Sequence, residues 1–235
     1  MTKQKTNDII MILDESIGGE TIQVVNNFIK EQQKLEIKDT RFSLIKFNSG
    51  ITYVFNDEKL ENIKEFTNLK PDNTSDISHS SLDCIGVAIT NKLESERKTD
   101  VICVILTNGE DCCSDFFSLS NIKSLIKKVE TFYGWYFVYS GTNQDVFKIS
   151  TSLGINSFVE CFPDKNEDFI NITRSVSEKV SLYRQKNNTK ELKYLNIETK
   201  KLKIEETSQE KLPSPLPPLN MSSRLSAIGK YTHCI

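Results

Sequence analysis

The chain has 235 residues, 37% of them hydrophobic and 26% charged, enough to bury one full-sized core and leave a tail. Its 30 Lys and Arg stand against 32 Asp and Glu, a net charge of −2 with pI near 5.9, so it carries no electrostatic footprint for nucleic acid or an anionic membrane. The polar opening MTKQKTND runs into an apolar stretch of five residues, too short for a signal-peptide core or a membrane span, and the expected location is cytoplasmic.

Ile9 to Leu13 is a continuous apolar run, the mark of a strand buried on both faces. It passes through LDESIGGE, Leu13 to Glu20, into a helical stripe formed by Ile22, Val25, Phe28 and Ile29. Arg41 to Phe47 and Ile51 to Phe55 flank Asn48-Ser49-Gly50 and predict a hairpin with a glycine-containing turn, suited to an antiparallel edge. A second helical stripe holds Ile85, Ala88, Ile89 and Leu93, and the next apolar run is Val101 to Leu106. Leu119, Ile122, Leu125, Ile126 and Val129 make a third stripe, with Ser118 or Ser120 as its N-cap. Trp135 to Tyr139 and a weaker run at Ser157 to Phe162 predict two further strands, and Phe169, Ile172, Val176, Val180 and Tyr183 a last helix ending near Lys186. Strands alternating with helices imply right-handed crossovers and helices on both faces. The expected fold is therefore α/β, doubly wound, with a mostly parallel sheet and an antiparallel edge hairpin, over residues 1–186.

Residues 187–235 read as an irregular tail, with eight Lys and Arg against five Glu, hence +3, which leaves −5 for the body of a chain whose total is −2. The stretch ELKYLNIETKKLKIEE has the pattern of an extra hairpin or an irregular arm. Pro213, Pro215, Pro217 and Pro218 exclude helix and favour extended polyproline II. Six cysteines without CxxC spacing and two histidines supply a zinc site poorly. Cys84 and Cys103 read as small core residues and Cys112-Cys113 as reduced loop thiols.

In an open parallel sheet, ligands sit beyond the carboxyl ends of the strands, where Asp14 to Glu20, Asn73 to Ser81 and Thr107 to Ser114 are expected to converge. The segments IIMILDESIGGETI, RFSLIKFNSGITYVF, SHSSLDCIGVAI, VICVILTNGEDCCS and YGWYFVYSGTNQDVFKISTSLGI occur in that order. Together they resemble a von Willebrand factor A-type domain from Asp8 to about Lys186. The resemblance implies a Rossmann-like fold and a metal ion-dependent adhesion site. That site is built from Asp-x-Ser-x-Ser after the first strand, a Thr in the second loop and an Asp in a Thr-Asp-Gly turn of the third.

On this chain Asp14 and Ser16 match the first motif, and Gly18 stands in place of the second Ser. His79 falls on the Thr position between Ser78 and Ser80, although a shifted register would bring Ser75-Asp76-Ile77 there, and Asn108 replaces the Asp. Mg²⁺ seeks six oxygens at about 2.0–2.1 Å. Each carboxylate facing it at about 4 Å contributes roughly 4 kcal/mol at an effective dielectric near 20, before desolvation. With only Asp14 secure, unless Glu110 or Asp111 turns inward, the expectation is no cofactor or weakly bound Mg²⁺, with Asp14, Ser16, His79 and Asn108 as candidate ligands. In a metal-free domain, Asp14 would instead cap the following helix or accept backbone N–H bonds.

The implied function is non-enzymatic binding of a protein partner through Asp14, Ser16, Gly18, Ser78, Asn108 and Glu110. An alternative is a haloacid dehalogenase-like phosphatase with Asp14 as nucleophile, since LDES and ILTNG also resemble its first two motifs. That chemistry asks for a second aspartate two residues on, where Ser16 stands. The chain has no GxxxxGK, GxGxxG, GxSxG or HExxH motif.

Overall fold

The computed structural model describes residues 7–17, 21–35, 37–48, 50–67, 80–95, 97, 99–107, 111, 113–141, 145–160 and 167–188. Six strands, β1 (Asn7–Asp14), β2 (Arg41–Phe47), β3 (Ile51–Lys59), β4 (Asp100–Thr107), β5 (Tyr136–Gly141) and β6 (Phe158–Glu160), form one sheet in the order β3-β2-β1-β4-β5-β6. Every pairing is parallel except β2 with β3. The helices are α1 (Thr21–Gln33), α2 (Ser81–Glu94), α3 (Leu119–Tyr133), α4 (Val146–Leu153) and α5 (Glu167–Asn188).

The apolar runs become central strands because both of their faces are covered. Every residue of β1 is buried. Ile9, Met11 and Leu13 point to a layer containing Val24, Val25 and Phe28 of α1 and Val176 and Val180 of α5. Ile10 and Ile12 point the other way, to Ile85 and Ile89 of α2 and Ile122, Ile126 and Val129 of α3. The crossover through α1 moves from β1 toward β3, and the one through α3, on the opposite face, moves from β4 toward β6. Both are right-handed, and the change of direction between β1 and β4 places a crevice at the strand ends.

At the amino end of β1, Asp8 is buried and binds Lys92 Nζ at 2.8 Å, Arg97 Nε at 3.0 Å and Thr99 Oγ1 at 2.6 Å. Arg97 continues to Asp39 Oδ2 at 3.1 Å, and this guanidinium holds the Asp39 carboxyl below its usual range. Burial pushes the Cys84 and Cys103 thiols upward, consistent with inert core residues.

Four details depart from the sequence pattern. Helix α4 has only eight residues, too few for its Val146, Ile149 and Leu153 to make a conspicuous stripe, and is delimited by the N-cap Asp145 and the left-handed Gly154. β3 extends to Lys59, past its apolar run. β6 is three residues long and Cys161 and Phe162 lie outside the described residues. Leu119 is 44% exposed in the first turn of α3 and is no core residue, while Ser118 caps that helix in a reciprocal capping box with Asn121. Helix α5 reaches Asn188, and the expected polyproline segment and hairpin or arm lie outside the described residues, as do Cys112 and Cys234.

Candidate functional site at the strand ends

β1 ends in Asp14, which is buried, and the chain then makes a 3₁₀ turn over Glu15–Ile17. That turn brings Ser16 back over the strand end: its N–H donates to Asp14 Oδ1 at 3.0 Å, and its hydroxyl donates to the same oxygen. Thr107, the last residue of the neighbouring β4, donates its hydroxyl to Asp14 Oδ2 at 2.8 Å. The strand end and its neighbour thus set the carboxylate from both sides, and Asp14 accepts a backbone N–H. On the other side of the turn, Glu15 pairs with Lys46 of β2 at 2.6 Å, the two side chains being only 12% and 9% exposed. Lys46 stands beside Leu13 in the parallel register, so its ammonium meets the first residue beyond β1.

The third loop is held to the start of α2. Asp111 Oδ1 accepts from Ser81 Oγ at 3.1 Å, Leu82 N at 3.0 Å and Ser114 Oγ at 2.6 Å. An aspartate from another loop therefore caps α2, because Ser80 makes no side-chain cap and instead donates to Asn48 O at 3.2 Å in the β2–β3 turn. In return Asp83 of α2 accepts the N–H groups of Asp115, Phe116 and Phe117 at 2.9, 3.0 and 2.8 Å, and its own N–H donates to Ser114 Oγ at 3.0 Å. Phe117 then lies against Gly86, where a Cβ would come within 2.5 Å of the ring. Glycine at this position lets loop and helix close.

Of the expected site residues, Asp14 and Ser16 are brought together. Gly18, Ser78, His79, Asn108 and Glu110 lie outside the described residues, as do Ser75 and Asp76 of the shifted register. The described oxygens gathered at the end of β1 are one carboxylate and two hydroxyls, from Asp14, Ser16 and Thr107. Asp111 does not turn toward them but toward α2. Among the described residues there is no group of three or more His, Cys, Asp or Glu able to hold a metal ion. Sequence reasoning missed Thr107 as the second orienter of Asp14, and missed Asp83, Ser81 and Ser114 as the bracket. An acid in the first turn of α2 was the available signal for Asp83; the pairing of Lys46 with Glu15 left none.

The sequence matches no protein-family model and no curated protein. Among solved structures it is similar to proximal thread matrix protein 1 from the mussel byssus, with 16% identity, a TM-score of 0.52, and coverage of 76% of this chain and 46% of that one. A second structure of that protein, with a zinc-occupied MIDAS motif, aligns at TM-score 0.51 and 12% identity over 74% of this chain and 48% of the other. The PilB minor pilin of Streptococcus sanguinis aligns at TM-score 0.53 and 9% identity over 77% and 62%. This chain has the von Willebrand factor A-type fold. It spans about half to three fifths of the length of those proteins. In this fold Asp14 and Thr107 end two adjacent strands, and Ser16 and Asp111 stand in the loops that follow them, where the sheet reverses its winding. No described helix is long and apolar enough to cross a membrane.

Proposed function

We propose that this A-type domain is a non-enzymatic interaction module that engages a protein partner through its strand-end loops, with weak or no dependence on a divalent cation. The observation that carries the reading is the orientation of Asp111. Asp111, the described acid of the third loop, where Asn108 replaces the expected Asp, is committed to the amino end of α2 and to Ser114. A divalent ion at Asp14 would then face a single described carboxylate, and the lost charge pair lowers affinity by orders of magnitude. In this reading the partner surface is formed by Ser16, Gly18, Ser78, Asn108 and Glu110, with the buried Asp14 holding Ser16 from beneath.

The phosphatase alternative gains no support. Ser16 occupies the position of the general acid/base and donates to Asp14, and that reading leaves the antiparallel β2–β3 pair unaccounted for.

Thermal unfolding of the purified chain with and without millimolar Mg²⁺ is the direct test. A site saturated 100-fold above its Kd would add about 2.7 kcal/mol and raise Tm by several degrees, whereas this reading expects about 1 °C or less. Partner proteins captured by the full chain are expected to stay bound in EDTA and to be lost with Glu110→Arg. Turnover of an aryl phosphate that disappears in Asp14→Asn would refute the assignment.

A further inference from the structure

Two large apolar side chains stand exposed where the third loop enters α3. Phe116 is 37% exposed and Leu119 44%, three residues apart. Large apolar side chains exposed together mark contact surfaces, whereas scattered single ones are ordinary. Their place is the strand-end rim. The same loop supplies Asp111 to the start of α2, and Ser80, just ahead of α2, donates to the carbonyl of Asn48, the residue after β2.

The backbone beneath them is held by a buried charge. Asp83 accepts the N–H groups of Asp115, Phe116 and Phe117 together, and such charge-assisted bonds are roughly twice as strong as neutral ones. An acid in the first turn of a helix ordinarily serves the N–H groups of that helix; this one holds a neighbouring loop in a single shape. Phe117 enters the core against Gly86, and Phe116 beside it stays outside. The Ser118–Asn121 capping box then fixes the first turn of α3, where Leu119 stands. A surface held in this way loses little further freedom when a partner binds, which lowers the entropic cost of association.

Charge selects the occupant. From Asn108 to Ile122 the chain carries Glu110, Asp111 and Asp115 and no Lys or Arg. Asp115 is exposed beside Phe116, and Lys46, a cation of the same rim, is paired with Glu15. An apolar patch bordered by acids is complementary to an apolar side chain flanked by a cation.

We propose that Phe116 and Leu119 are the apolar anchor of the partner surface, and that the partner is a protein segment carrying an apolar side chain next to Lys or Arg. The inference rests on the strand-end reading above and adds to it the residues that determine specificity and the chemistry they select.

Selection of a phage-displayed random peptide library on the full chain tests it, with the affinity of recovered peptides read by fluorescence anisotropy. Those peptides are expected to carry an apolar residue beside Lys or Arg and to bind the Phe116→Ser/Leu119→Ser double variant at least about tenfold more weakly. Asp115→Lys, which leaves the backbone bonds to Asp83 in place, should also weaken them and reduce the salt dependence of binding. Phe132→Ser, at the far end of α3 and 76% exposed, should leave affinity unchanged. Slow amide exchange at residues 115–117 of the double variant would show that the loss is of contact and not of the loop. Peptides lost with Glu110→Arg but indifferent to the double variant would overturn this inference and leave the strand-end reading standing. Peptides indifferent to both would overturn the two together, and an acidic consensus, or no enrichment at all, would overturn the stated chemistry.

Discussion

The two ends of β1 carry the same side chain in opposite electrostatic settings. Asp8 and Asp14 are both buried, six residues apart on one strand. Asp8 meets two cations, Lys92 and Arg97, together with a hydroxyl, and its charge is compensated within the fold. Asp14 instead accepts from the amide and hydroxyl of Ser16 and the hydroxyl of Thr107, donors that orient the carboxylate. The amino end of the strand is built as a lock of paired charges, and the carboxyl end as a buried carboxylate aimed by hydroxyl donors.

The comparison is most easily broken by neutralising each acid in turn. Asp8→Asn leaves Lys92 and Arg97 without the buried anion they share, although Asp57 and Asp39 still face them, and is expected to cost about 2–3 kcal/mol. Asp14→Asn keeps its shape against the Ser16 and Thr107 hydroxyls and is expected to cost about 1 kcal/mol; equal losses in denaturant unfolding would show that the two ends are alike. Next in size is Gly86→Ala, whose methyl would collide with the Phe117 ring at 2.5 Å. It is expected to cost about 1–3 kcal/mol by overpacking, with faster exchange of the amides at residues 115–117. Asp111→Ala removes the cap of α2 and should cost about 1 kcal/mol, read from the denaturant midpoint. If instead it abolished a Mg²⁺-dependent rise in Tm, Asp111 would belong to a metal shell and the bracket would be wrong.

The smallest effect separates burial from charge on the α2 side of the sheet. Tyr53 is pushed up to about 12, first by burial and against the bond donated by Asn91 Nδ2 at 2.8 Å. The folded state therefore holds the phenol neutral while the unfolded chain ionises near 10. This contribution to stability is complete below pH 10 and is lost as pH rises toward 12. Tyrosine absorbance should show one late-ionising group that disappears in Tyr53→Phe, and titration of all tyrosines near 10 would contradict it.

The legible part of the fold was the part with a long period. The run Ile9 to Leu13 and the stripe through Ile122, Ile126 and Val129 announced strand and helix because both faces of one and a whole side of the other are buried. The eight-residue α4 escaped, since its tertiary neighbours and its caps hold it more than its own pattern does. Leu119 was misread for the complementary reason: periodicity marks a helical face but does not show how far the neighbouring layer extends to cover it. At the candidate site Asp14 and Ser16 could be named in advance because they match the Asp-x-Ser of the A-type motif that the chain resembles, and the structure joins them through a local turn.

The amino-acid sequence by itself determined the order of the six strands and of the four longer helices and the antiparallel edge, which follow from short-range periodicity and turn chemistry, and its resemblance to the A-type motif singled out Asp14 and Ser16. Only the tertiary structure decided that Thr107 completes the hold on Asp14, that Asp111 serves α2, and that Asp83 returns the favour to residues 115–117. Those contacts join residues about 30 to 90 positions apart, and no local pattern encodes which acid will find a helix end once the sheet has brought the loops together. A carboxylate follows the nearest unsatisfied donor, and the fold sets where that donor stands.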